Sequence, residues 1–175
     1  MSRPVRHFLP GWLSRLLQAS AAHRYYPLVV GLIAFVSVAT FSFPFAAVLI
    51  PAVLLAPARW RWIGLLSGIA SGFGAGVLVE VFQYLGLDLI AARYPDLVRH
   101  EAWLTIRDWL QHYGLFAMLV IAASPMPQTP AVLFLALAGT PVLGVMFAVG
   151  AGKTAKYLFL AWATARYPAR YARFR

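Results

Sequence analysis

The stretch Gly114–Thr140, GLFAMLVIAASPMPQTPAVLFLALAGT, decides how this chain folds. Both ends are apolar enough for membrane helix, yet Pro125, Pro127 and Pro130 crowd its middle. Proline lacks the N–H that a helix needs, and the residue before a proline avoids helical backbone, so the helix must break at Ser124–Pro130. The arm beyond the break, 131–140, rises only about 15 Å at 1.5 Å per residue, against roughly 30 Å of hydrocarbon core. It returns to the side it came from. Residues 26–57 repeat the pattern: Ser42-Phe43-Pro44 interrupts them, and the arm 45–57 rises about 20 Å. Both stretches read as re-entrant hairpins, with Pro44 at one tip and Pro125, Pro127 and Pro130 at the other. Such backbone survives at membrane depth only where protein or a wet cavity covers it.

Between and after the hairpins lie two uninterrupted apolar stretches, 62–87 and 142–165, each long enough to cross. Composition agrees, with 62% hydrophobic residues, 11% charged and a mean hydropathy of +0.74. Water-soluble domains carry more than twice that share of charge. The expected fold is all-α and integral to a membrane: an inverted repeat of two re-entrant helical hairpins and two long transmembrane helices, with interfacial amphipathic helices added. Its parts are a basic interfacial segment (1–25), a membrane domain (26–168) and a basic tail (169–175). The inverted repeat rests on Pro51-Ala52-Val53-Leu54 recurring as Pro130-Ala131-Val132-Leu133. Gly64, Gly68, Gly72 and Gly76 likewise recur eighty places on as Gly144, Ala148, Gly152 and Lys156.

Sidedness follows from the same topology. One face collects Arg3, Arg6, Arg15, Arg24, Arg59, Arg61, Arg166, Arg170, Arg173 and Arg175, while the opposite loop holds Arg93, Arg99 and Arg107 beside four acids. The positive-inside rule puts the arginine-rich face and both termini in the cytoplasm, the membrane being a bacterial inner membrane. The net charge of +10 reads as attraction to anionic lipid heads rather than to nucleic acid, because the middle of the chain is apolar. The N-terminus is either a signal peptide or an interfacial helix. Pro10, Gly11 and Arg15 interrupt its apolar run, which favours the helix, with Phe8, Leu9, Trp12, Leu13, Leu16 and Leu17 on its lipid face. A second surface helix is expected over 101–113, with His112 solvated.

The chain has no cysteine, four His and five acids, so thiol chemistry is excluded and neither metal nor cofactor is expected. Ser, His and Asp are too scattered in depth for a hydrolytic triad, and the chain does not read as an enzyme. Gly150-Ala151-Gly152-Lys153-Thr154 lacks the first glycine of a phosphate loop. Spacing of four puts Gly64, Gly68, Gly72 and Gly76 in one row for close helix packing, with Gly144 and Gly152 as counterparts.

Lys153 and Lys156 carry most of the functional signal. They stand one turn apart near the middle of the last crossing, where each cation costs at least about 2.5 kcal/mol. The one acid in an apolar stretch, Glu80, matches neither in depth. Two partners remain, carbonyls freed at the proline-rich tips or an anion such as a lipid phosphate. Ser124, Gln128 and Thr129 either bond a substrate or cap the broken helix. Glu80 either couples protons or pairs with Tyr84, Gln83 or a hairpin end.

The order of these features resembles the DedA superfamily, also called the VTT or SNARE-associated membrane domain: proline-tipped hairpin, glycine-rich crossing, surface helix ending in Tyr113-Gly114, hairpin closing on Leu137-Ala138-Gly139, glycine-bearing last crossing. The likeness spans about 28–165. Gly152-Lys153 and Lys156-Tyr157 resemble the YqaA-like branch. The resemblance implies a lipid translocator, flippase- or scramblase-like, moving phospholipids or polyprenyl-phosphate carriers between leaflets. This chain departs from better-known members in an uncharged 45–57 arm and in Gln128-Thr129 where they carry arginine. Two alternatives stand beside that reading: a non-transporting membrane scaffold, which uses its glycine row and surface helix to hold other proteins, and a proton- or ion-coupled small-solute carrier using Glu80; the expected partners are membrane lipids with anionic heads and a second copy of the chain in a homo-oligomer.

Overall fold

The computed structural model describes residues 11–40, 44–93 and 113–168. Every element among them is helical: α1 (Gly11–Ser20), α2 (Tyr26–Thr40), α3 (Ala46–Leu55), a 3₁₀ turn (Pro57–Arg59), α4 (Trp60–Arg93), α5 (Tyr113–Ala123), α6 (Thr129–Leu137) and α7 (Val142–Arg166). Two of these are long and apolar enough to cross a membrane, within Pro57–Leu85 and Val142–Arg166. Most of the expected surface helix 101–113, the tip residues Ser42 and Phe43, Phe8, Leu9 and the tail 169–175 lie outside the described residues.

Proline and glycine set the breaks. α2 is described to Thr40 and α3 starts after Pro44, while α5 stops at Ala123 and α6 starts at Thr129. Pro130 lies in the first turn of α6, where its missing N–H is no loss. α6 closes in a Schellman turn: Thr140 N–H donates to Leu135 O at 3.0 Å, Gly139 N–H to Ala136 O at 3.1 Å, and Gly139 takes φ +71°. α4 begins at Trp60 and continues to Arg93, beyond the expected 62–87, because no residue from Leu87 to Arg93 breaks a helix and the next proline is Pro95. Pro51 lies inside α3, whereas Pro130 opens α6. The matched Pro-Ala-Val-Leu quartets therefore stand at different points of their arms.

α4 against α7 is the most extensive contact of the fold. The glycine row makes it. A Cβ at Gly64 would lie 3.1 Å from Leu158 Cα, one at Gly68 would run into the Thr154 backbone, one at Gly72 would lie 2.7 Å from Met146 O, and one at Gly76 2.6 Å from the Met146 side chain. The partners Leu158, Thr154, Gly150 and Met146 are themselves spaced by four, so the glycine row meshes antiparallel with one ridge of α7. The row packs inside the chain, and beside it Gly72 and Gly150 also line an open apolar groove of about 720 Å³ with Ile69, Phe73, Leu143 and Phe147. Each long helix also meets the first arm of the preceding hairpin at a glycine, Gly74 against Phe35 and Gly152 against Leu119. Gly144 lies against the Leu115 side chain. The second arms cross over: α3 rests on α7 and α6 on α4.

Burial divides into two clusters. One gathers Val38, Leu78, Val79, Met118, Ile121, Val132, Val145 and Val149; the other gathers Leu13, Leu17, Tyr26, Val30, Leu49, Val53, Ile63 and Tyr157. Leu13 and Leu17 of α1 are thus buried against α2 and α3 rather than facing lipid, while Trp12 and Leu16 of the same helix stay exposed. α1 docks on the fold with half of the face that its sequence pattern assigns to the interface. The Tyr26 hydroxyl donates to Ala52 O at 3.1 Å, holding the start of α2 to the end of α3. Ala52 O needs that donor because Ala56 N–H turns to Val53 O instead.

Candidate functional site

Along α7 the change from one core cluster to the other falls between Val149 and Tyr157, and Lys153 stands in that interval. A cavity of about 300 Å³ opens there. Its walls come from three places: Ser37, Val38, Pro44, Phe45 and Ala46 around the first hairpin tip, Met126, Pro127, Gln128 and Thr129 at the second, and Lys153, Lys156 and Tyr157 from α7. Residues more than a hundred positions apart in sequence meet because each hairpin arm stops at its proline.

The two lysines are compensated unequally. Lys156 Nζ donates to Ser124 O at 2.7 Å, a carbonyl left without its helical partner by the break at Pro125. A charged hydrogen bond of this kind contributes about 1.5–3 kcal/mol, comparable to the burial cost of the ammonium. Lys153 is 9% exposed and makes no hydrogen bond among the described residues. Its Nζ stands 5.8 Å from the centre of the Tyr157 ring, which is tilted against Phe45 at 5.1 Å. A cation–π contact contributes about 0.5–2 kcal/mol, too little to offset both burial and a second ammonium one turn away. No carboxylate lines the cavity among the described residues.

The electrostatics of the walls have one sign. α6 starts at the cavity, and only from Val132, whose N–H donates to Gln128 O at 3.0 Å, are its amides bonded within the helix. Phe45, the N-cap of α3, and Ala46, its first residue, also line the cavity. Helix N-termini carry positive partial charge, which repels ammonium and attracts anions. Two lysines and two helix starts thus surround one small volume.

No family model, no curated protein and no solved structure matches this chain. The site therefore speaks through its own geometry. Of the residues singled out from sequence, Lys153, Lys156, Gln128, Thr129, Pro44 and Pro127 converge on the cavity. Gln128 stands at the N-cap of α6 without capping it, and neither Gln128 nor Thr129 spends its side chain on a hydrogen bond among the described residues. Ser124 takes the capping role: its Oγ donates to Ile121 O at 2.9 Å and accepts from Met126 N–H at 3.2 Å, so only its main-chain carbonyl serves the lysine. Glu80 is exposed on α4 and does not line the cavity, and Gln83, one of its candidate partners, donates instead to Thr140 O at 3.1 Å. Pro125 and Pro130 shape the second tip without lining the cavity.

The sequence reading gave no role to Phe45, to Ser37 or to the buried serines of α4. Ser67 and Ser71 are fully buried, and neither hydroxyl closes a hydrogen bond within 3.5 Å. Ser71 faces the Tyr157 phenol. Tyr157 had a local signal, an aromatic four residues after a mid-helix lysine, which places ring and ammonium on one face.

Proposed function

We propose that this chain is an integral membrane lipid translocator in which Lys153 engages the phosphate of an anionic lipid head while the tails stay in the bilayer. One observation carries the reading: a cavity bounded by two broken-helix tips, two lysines and two helix starts, with no carboxylate in its lining among the described residues. A phosphate supplies the charge that Lys153 lacks.

The membrane setting is supported by what the fold leaves outside. Leu32, Phe73, Phe116, Leu143 and Phe147 are more than half exposed, an apolar surface that water does not tolerate. Tyr25, Trp62, Trp162 and Tyr167 form an exposed aromatic set beside Arg24, Arg59, Arg61 and Arg166 at one end, the arrangement of a headgroup boundary. α2, α3, α5 and α6 span about 22, 15, 16 and 13 Å, each short of a roughly 30 Å core, which supports re-entrant hairpins. The crossing-over of the second arms supports an inverted repeat, and with it membership of the DedA superfamily. Arginine distribution supports a bacterial inner membrane with both termini cytoplasmic. No bond is broken in this scheme, so the chain is proposed as a transporter and not an enzyme. For the scaffold alternative the glycine row packs mainly within the chain, and for the Glu80 carrier the carboxylate lies outside the cavity.

Leaflet exchange of a fluorescent anionic phospholipid in proteoliposomes tests this. Wild type should exchange it, Lys153→Ala should slow exchange at least about tenfold, and Lys153→Arg should keep part of the rate. Absence of exchange by wild type refutes translocation, and equal rates in all three remove Lys153 from the site.

A further inference from the structure

A second, separate cleft of about 290 Å³ lies at the arginine-rich end, between the start of α2 and the start of α4. It is lined by Arg24, Pro27, Leu28, Arg59, Trp62 and Leu66, none of which belongs to the central cavity. Both guanidinium groups are held in place by the chain. Arg59 donates through Nη1 to the main-chain carbonyl of His23, and Arg24 donates through Nη2 to the Tyr25 hydroxyl while lying 4.6 Å from the centre of that ring. Each fork has five N–H donors, so both keep donors free for a ligand. Neither has a carboxylate beside it among the described residues: Glu80, the first acid on α4, lies 21 residues on from Arg59 (80 − 59), about 30 Å along the helix. Below the arginines the lining becomes apolar, and Trp62, 61% exposed, flanks it as headgroup-level tryptophans do.

We infer that this cleft is a binding site for the phosphate of an anionic phospholipid, separate from the translocation cavity, with the first acyl carbons against Pro27, Leu28 and Leu66. Two fixed guanidinium forks match phosphate oxygens in bidentate fashion, which a single mobile lysine does not. The apolar floor selects a lipid over a free anion. The assignment rests on the membrane reading of the chain but not on translocation. Such a lipid ties α2 to α4 at the cytoplasmic boundary.

Photo-crosslinking tests it, with the protein in vesicles containing a diazirine-bearing phosphatidylglycerol or the matching phosphatidylcholine, and labelled residues located by mass spectrometry. Phosphatidylglycerol should label Leu28, Trp62 or Leu66 in preference to phosphatidylcholine. At about fivefold per interfacial arginine, Arg24→Gln with Arg59→Gln should weaken that labelling about 25-fold. Should the double glutamine variant fail to fold, Arg24→Lys with Arg59→Lys keeps the charge, loses the forks and should still weaken labelling severalfold. Inorganic phosphate at millimolar concentration should not compete. Equal labelling of the cleft by both lipids overturns the site while leaving the membrane reading intact, as does undiminished labelling in both variants. Full competition by inorganic phosphate shows a simple anion site and overturns the lipid. Absence of labelling anywhere on the chain overturns the membrane reading and this site with it.

Discussion

Replacing the small residues of the α4–α7 seam one at a time by alanine should separate helix propensity from packing. Alanine is favoured over glycine in a helix interior by about 1 kcal/mol, so where a methyl fits, the change should stabilise. At Gly150 the added Cβ would lie 3.6 Å from Gly72 Cα, an ordinary contact, and Gly150→Ala should raise the midpoint of thermal unfolding by about 2–4 °C. At Gly64 the nearest atom is Leu158 Cα at 3.1 Å, and gain and crowding should nearly cancel. At Gly72 the methyl would meet Met146 O at 2.7 Å, and at Gly68 it would overlap the Thr154 main chain. Neither obstacle can rotate away, because both are backbone. Overpacking costs about 1–3 kcal/mol, so after the propensity gain a net loss of up to about 2 kcal/mol should lower the midpoint by up to about 8 °C, most at Gly68. Intrinsic tryptophan fluorescence during heating in detergent measures the series. If Gly150→Ala falls as far as Gly68→Ala, or Gly68→Ala is neutral, the seam is not packed as described.

Further outcomes follow from single contacts. Tyr26→Phe removes the hydroxyl that satisfies Ala52 O and should cost about 1 kcal/mol, read as a 2–4 °C drop in the same assay. Lys156→Ala releases the Ser124 carbonyl, and a cysteine placed at Gln128 should then react several times faster with a water-soluble maleimide; an unchanged rate would show that the hydrogen bond does not restrain the tip. Glu80→Gln should leave lipid exchange within about twofold of wild type, since the carboxylate is outside the cavity, and a tenfold loss would return it to the transport pathway. Leu17→Ala empties a fully packed position under α1 and should destabilise by about 2 kcal/mol or more, whereas Trp12→Ala, on the exposed face, should cost far less.

How much of this was legible in the sequence depended on whether the signal was local. Proline breaks are local, so the end of α5 and the starts of α3, α6 and α7 fall close to where Pro125, Pro44, Pro130 and Pro141 put them. The meeting of Gln128, Thr129, Lys153 and Lys156 was legible for the same reason, as tip and mid-helix are both fixed by counting residues. What occupied each lysine was not. Both candidate partners, a tip carbonyl and an anion, were consistent with spacing, and only the three-dimensional approach of Ser124 assigns the carbonyl to Lys156 and leaves Lys153 without it. α1 misled in part because an amphipathic face looks the same whether it meets lipid or protein. The glycine row was recognised as a packing surface, but its partner was not, because the mesh with Met146, Gly150, Thr154 and Leu158 is a property of two helices together.

The Lys156–Ser124 hydrogen bond has a mechanical consequence. It bolts the second tip to the long helix that also carries Lys153, so tip, helix and cation form one stator. Opposite it, the described part of the first tip meets α7 through the tilted rings of Phe45 and Tyr157, a contact that slides without breaking a bond. The two tips are therefore held to α7 by different means, the second by a charged hydrogen bond and the first by ring contact.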